Sequence, residues 1–394
     1  MFDPDDAPPP LDPATAARLA DALAARGPAA AADELVAQLR AAEDFQNLFY
    51  ALLLKKRVEL GVSPFPTGPA TDLPAETHEE YESAIRDAGR HVGALLLERH
   101  RFAQAWGFYK LLGEPEPIRA ALEAYAPGPD DDVYPVIEIA WQNGLLPKKG
   151  FDLVLDRHGL CSAITMVSGS DLSTNPDLRD YCVTRLARAL HDQLAERLRT
   201  DLTGRGVAVA PGATIPEMVE GHPELFADDA YHIDTSHLSS VVQMATQLPP
   251  GAPGIEIARD LCVYGRRLAH GLQGNNDPPF EDNYDDFLAY LNVLIGANAA
   301  KHLERFEAKA AREADVGATY AAQVYINLLV RTNRPGEALA AAKRFLMGED
   351  ERNLICPGVT ELARRVGDYA AQASAAQARG DAVAYLASLI AAKG

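Results

Sequence analysis

At 394 residues the chain exceeds what one compact core usually serves, so two or three domains or an elongated repeat array are the natural organisations. Apolar residues make up 47% of it, ample for burial and incompatible with global disorder. The 56 Asp and Glu residues outnumber the 37 Lys and Arg, giving a net charge of −19 that repels phosphate backbones and anionic lipid heads. Neither nucleic acid nor a membrane is therefore an expected partner.

The chain opens Met1-Phe2-Asp3-Pro4-Asp5-Asp6, without the basic and apolar parts of a signal peptide. No apolar run approaches the ~18 residues that cross a bilayer. Cys161, Cys182, Cys262 and Cys356 stand far apart with no C-x-x-C pair, which argues against structural disulfides and cysteine-only zinc sites. A reducing cytoplasm is the expected compartment.

In chain order, Asp12-Pro13 reads as an N-cap followed by proline at the first helical position. Phe45, Leu48, Phe49, Leu52 and Leu53 recur at spacings of three and four, the stripe of a half-buried helix. The Pro-rich stretch Val62–Pro74 follows; Phe65 prefers cover, so the expected form is a loop draped over the first helices. Thr77-His78-Glu79-Glu80 has the form of a capping box. From Pro147 to Ser173 and from Thr203 to Tyr231 the pattern is least regular. Cys161–Val167 fits a buried helical turn or a short strand, and Gly206–Ala210 is the best candidate for an extended segment. Between these stretches Asn175-Pro176-Asp177 starts a long helix to about Arg199. Leu288, Leu291, Val293, Leu294 and Ile295 give another helical face.

Roughly 17 helices separated by short breaks must lie antiparallel to their neighbours. The fold class expected is all-α, an α-solenoid of stacked antiparallel helix hairpins with an irregular middle. It divides into N-terminal hairpins over 1–125, the irregular middle over 126–250 and C-terminal hairpins over 251–394.

Tyr325–Ala338, with a turn at Asn333 and Ala338, Ala342 and Phe345 at the small, small and bulky positions of its second helix, resembles a tetratricopeptide-type hairpin. Ala105-Trp106-x-x-Tyr109 with Gly113, and Ala378-Arg379-Gly380-Asp381 with Tyr385 and Leu389, are looser echoes. The rest resembles alanine-rich helical proteins of bacterial type that carry no assigned activity. The tetratricopeptide resemblance implies stacked hairpins around a concave groove that takes proteins or peptides.

Chemistry-bearing residues are densest at Tyr231–Leu238. His232, Asp234 and His237 have an H-x-D-x-x-H spacing that can supply two imidazoles and a carboxylate to one Zn²⁺ or Mn²⁺. The competing reading makes Asp234 the N-cap of a helix buried along Leu238, Val241, Val242, Ala245 and Leu248. Cys161 near His158 invites a nucleophile, against the plainer reading of a thiol buried among Leu160, Ala163 and Ile164. The acidic run Asp277–Asp286 lacks the glycine and spacing of a calcium loop and reads as a turn leading into a helix's first turn. Phosphate-loop, dinucleotide, nucleophile-elbow and H-E-x-x-H motifs are absent.

Two functions follow. The first is a protein- or peptide-binding scaffold with no cofactor, whose partner is not acidic because the chain is. The second is an all-α metal-dependent enzyme or ligand-binding protein with His158, His222, His232, Asp234 and His237 gathered in the middle. A purely structural, self-associating protein is a third reading, told from the scaffold by mass in solution.

Overall fold

The computed structural model describes residues 11–65 and 73–393. Every regular element among them is helical: nineteen α-helices, one π-helical turn over Glu138–Gln142 and a few short turns of 3₁₀ type, with no strand. The chain divides into two compact units, Met1–Leu153 and Val154–Gly394.

The first unit begins with α1 (Pro13–Arg26), α2 (Pro28–Ala41) and α3 (Phe45–Glu59), then α4 (His78–Glu98), α5 (Phe102–Leu112) and α6 (Glu116–Ala124). Each packs on the next. Asp12 caps α1 through the Thr15 amide at 2.9 Å, with Pro13 at the first helical position. Leu48 and Leu53 of α3 are fully buried, the inward side of the stripe, while Phe49 and Leu52 lie half-buried beside them. Turns are tied across the stack as well as along it. Glu43, in the turn between α2 and α3, accepts from Arg99 at 2.6 Å and Arg101 at 3.2 Å, the two arginines of the next turn over.

The capping box at Thr77 does not form. A 3₁₀ turn over Ala75–Thr77 runs straight into α4, leaving Thr77 in helical rather than extended backbone. Its hydroxyl donates to the Pro74 carbonyl, and Glu80 accepts from Lys56 of α3 at 2.6 Å instead. Nor is Phe65 covered: it is 78% exposed. Arg57, buried against the Tyr81 ring, donates to the Ser63 carbonyl at 2.6 Å and so fixes the start of that stretch. Residues 66–72, which complete the expected draped loop, lie outside the described residues.

After α7 (Tyr134–Ile137), α8 (Pro147–Ser168) carries the chain into the second unit. Gly159 interrupts it with φ +79°, a left-handed conformation that breaks the helix into two parts. Cys161–Val167 is thus the second part of a helix and not a strand.

The second unit centres on α9 (Pro176–Gly204), capped by Asn175 through the Leu178 amide at 3.2 Å. It outruns the expected end at Arg199 because its buried stripe of Leu186, Leu190, Leu194 and Leu198 continues to Leu202. Around it pack α10 (Ile215–Val219), α11 (Thr235–Ala245) and α12 (Pro253–Gly265). Residues 207–210 are irregular and pair with no strand, so the expected extended segment is absent. The chain then proceeds through α13 (Tyr284–Leu294), α14 (Ala299–Ala314), α15 (Tyr320–Arg331), α16 (Pro335–Phe345), α17 (Val359–Val366), α18 (Tyr369–Ala378) and α19 (Ala382–Ala391), again each on the next. Ala338 and Ala342 are fully buried where α16 meets α15, and Asn333 makes the turn in left-handed backbone. Arg331, at the end of α15, donates to the Thr246 and Leu248 carbonyls at the open end of α11 and to the Tyr290 hydroxyl.

Two contacts set the packing of α12 to α14. Gly265 lies flat under the Tyr284 ring, where a Cβ would stand 2.5 Å from a ring carbon. Asp286, fully buried, accepts from Lys309 at 2.6 Å, Arg305 at 2.7 Å and the Asp282 amide at 2.8 Å. Glu281 joins this network through Lys309 at 3.0 Å and through Arg312. The acidic run is therefore more than a first-turn decoration: its carboxylates tie α13 to α14.

Candidate functional site

Asp234 is the cap of α11. Its Oδ1 accepts from the Ser236 amide at 2.8 Å, the Ser236 hydroxyl at 2.5 Å and the His237 amide at 3.3 Å. The Ser236 hydroxyl and the two amides hold its carboxyl below the usual range, against a smaller effect of burial. Leu238, Val241, Val242, Ala245 and Leu248 are all fully buried behind it.

His232 turns away from that cap. Its Nε2 lies 3.1 Å from Asp201 at the end of α9, its Nδ1 3.3 Å from the Tyr264 hydroxyl on α12, and its backbone amide donates to the same hydroxyl at 2.7 Å. Phe226 packs edge-on to the imidazole. Burial raises the Tyr264 phenol to about 12, so it serves as a neutral hydrogen-bonding group and not as a base. Arg205 and His232 together keep the Asp201 carboxyl low. The cluster joins α9, the 231–234 loop and α12 by side-chain hydrogen bonds.

His232 and Asp234 are thus spent separately, His237 meets Asp234 through its backbone amide, and among the described residues no three His, Cys, Asp or Glu side chains are gathered as a ligand set. His222 pairs with Glu224 at 2.8 Å in its own turn. His158 and Cys161 are exposed on α8, which overturns the reading of that thiol as buried filler.

Concave surface lies elsewhere. In the first unit a groove of about 690 Å³ runs over α3, α4 and α5, lined by Phe49, Tyr50, Ile85, Phe108 and Leu112, with Gly89 seating the Leu112 side chain and Gly107 bare at its surface. Phe49 stands between Tyr50 and Phe108, ring centroids 5.4 and 5.3 Å away. Leu111 is 89% exposed at the edge, an isolated apolar side chain fully in water. Glu82 and Arg86, one turn apart on α4, and Gln46 and Gln104 supply the polar margin. No Cβ-sized obstacle stands within 4 Å of Gly107, so a second backbone can approach there. The sequence marked Phe49 only as part of a buried stripe. Tyr50 and Leu111 carry the signal it did offer, being large apolar residues off the buried face of their helices.

A more polar hollow of about 410 Å³ in the second unit is lined by Ser168, Ser170, Asp171, Arg179, Ser240 and Gln243 among others. A third, of about 420 Å³, lies between α1, α2 and α3 under Phe65. None of the three includes His232, Asp234 or His237. Set against protein families, curated proteins and solved structures, the chain finds no match.

Proposed function

We propose that the protein is a binding scaffold, a solenoid of helix hairpins that takes a partner protein's amphipathic helix in the groove over α3, α4 and α5. The observation that carries this reading is the apolar groove itself, with Leu111 standing 89% exposed at its edge. Tyr and Phe in a concavity of this kind supply large contact area with little side-chain entropy to lose. Gly107 leaves room for a helix to lie close. An occupant with leucine-sized anchors at helical spacing fits the floor, and Glu82, Arg86, Gln46 and Gln104 meet its polar flanks. The net charge of −19 favours basic over acidic flanks in the partner.

The test is a titration with a synthetic 14-residue amphipathic Leu/Lys helix, read by tryptophan emission in a Trp141→Phe background, which leaves Trp106 on α5 as the reporter, and by amide exchange. Leu111→Glu together with Tyr50→Ala should weaken binding at least about tenfold, in line with the loss of one or two interface anchors. A peptide of the same charge with serine in place of leucine should not bind. Equal binding of both peptides, or protection that spares α3–α5, would overturn the assignment.

A further inference from the structure

The last helix of the described chain presents two opposite faces. Ala384 and Ser388 look towards α18, with the buried Ser388 hydroxyl donating to the Ala384 carbonyl at 2.7 Å. On the other side Val383, Leu386 and Ile390 are 81%, 58% and 64% exposed, with Leu389 beside them. Their spacing of three and four makes a continuous apolar stripe along α19. A helix of ten residues is marginal in water, and α18 is the main support of this one among the described residues.

We infer that this stripe is a self-association face, covered in solution by α19 of a second copy packed across a two-fold axis. Two observations select that occupant. The exposures leave roughly 500 Å² of apolar surface on the face, so an isologous contact that covers it fully removes at most about 1,000 Å² from water, the lower limit for a specific interface. The second is charge. From Tyr369 to Lys393 the only charged side chains are Arg379, Asp381 and Lys393; Arg379 is held by Glu351 at 2.5 Å and Asp381 caps α19 through the Ala384 amide at 3.0 Å. Two copies of a chain carrying −19 repel each other wherever acidic groups meet, and this face brings none together. The proposal is independent of the groove, which lies in the other unit.

Sedimentation equilibrium of the full chain over a hundredfold range of concentration tests it. The expected result is a reversible dimer of twice the 42.4 kDa chain mass. Leu386→Lys with Ile390→Lys should weaken it at least about 100-fold, since anchors are lost and like charges face each other. The far-ultraviolet spectrum should be unchanged, because both side chains already lie in water. Leu386, midway along the stripe, lies nearest the two-fold axis, so Leu386→Cys in a Cys161→Ser background should form an intermolecular disulfide on mild oxidation. A wild-type chain that stays monomeric throughout, a dimer that survives the double lysine variant, or a cysteine variant that fails to cross-link would each overturn the proposal. A monomer in every sample would point instead to a different protein as the occupant.

Discussion

Lys309→Met puts the buried ion network to its most direct test. The ammonium touches Asp286 at 2.6 Å, Glu281 at 3.0 Å and Asp282 at 3.1 Å, and Asp286 has no exposed surface at all. Removing it leaves Asp286 with Arg305 and the Asp282 amide only, and takes from the buried Oε2 of Glu281 its ion-pair partner. Breaking a buried pair from one side costs about 3–5 kcal/mol; because Arg305 stays, the lower figure applies, about 3 kcal/mol. With a denaturant slope near ~3 kcal/mol/M, the urea midpoint followed in the far ultraviolet should fall by about 1 M. Lys309→Met with Asp286→Leu should recover part of that loss, since the buried Asp286 charge is then no longer stranded, while Glu281 keeps only Arg312. A single variant within about 0.3 M of wild type, or a double variant no better than the single, would refute the argument that Lys309 balances the buried charge of Asp286.

Acid probes the same network. Burial works to raise the Glu281 carboxyl, but hydrogen bonds from Arg312 and Lys309 outweigh it, and the net displacement is downward from 4.5. A carboxyl lowered on folding stabilises fully above its unfolded value, and the contribution is lost as pH falls below 4.5 through the folded value. The difference in urea midpoint between wild type and Glu281→Gln should therefore be largest near neutrality and close as pH drops through that window.

Gly265→Ala would place a methyl 2.5 Å from the Tyr284 ring, which is itself buried and has nowhere to move, so a loss of about 1–3 kcal/mol in urea unfolding is expected. Gly107→Ala, with no atom within 4 Å of the added carbon, should instead be neutral or gain up to about 1 kcal/mol. Asp234→Ala should cost about 1 kcal/mol by uncapping α11, and Asp234→Asn should restore most of it, because an amide oxygen accepts the same two amides. Failure of that rescue would favour a charge-dependent role such as metal ligation.

Helical period and capping chemistry were readable wherever one helix supplied the whole signal. Asp12-Pro13, Asn175-Pro176 and Asp234 lie at the starts of α1, α9 and α11, because a cap is decided within four residues. Thr77 and Thr214 show the limit of such reasoning. Both stand three residues before a glutamate, yet only Thr214 forms the box, since its backbone is extended and that of Thr77 continues a 3₁₀ turn. The stretch 203–216 read as irregular, and the T-x-x-E of Thr214–Glu217 went unmarked there. Partnerships between helices were illegible. That Asp201 of α9 and Tyr264 of α12 would take His232, or that Lys309 would reach back to Asp286, depends on which faces meet across 23 to 32 residues. The groove is illegible in the sequence for the same reason: Phe49, Ile85 and Phe108 lie on three helices.

The clasp of Arg331 on the end of α11 has a bearing on how the molecule comes apart. Helices that touch only their sequence neighbours can unzip from a free end, one after another, at little cost per step. Arg331 joins positions 83 to 85 residues apart, so loosening that starts at α19 meets a barrier when it reaches α15, where the turn that follows α11 must release the Thr246 and Leu248 carbonyls as well. Slow hydrogen exchange should accordingly begin at α15, with α16 to α19 exchanging ahead of it as a separately opening tail.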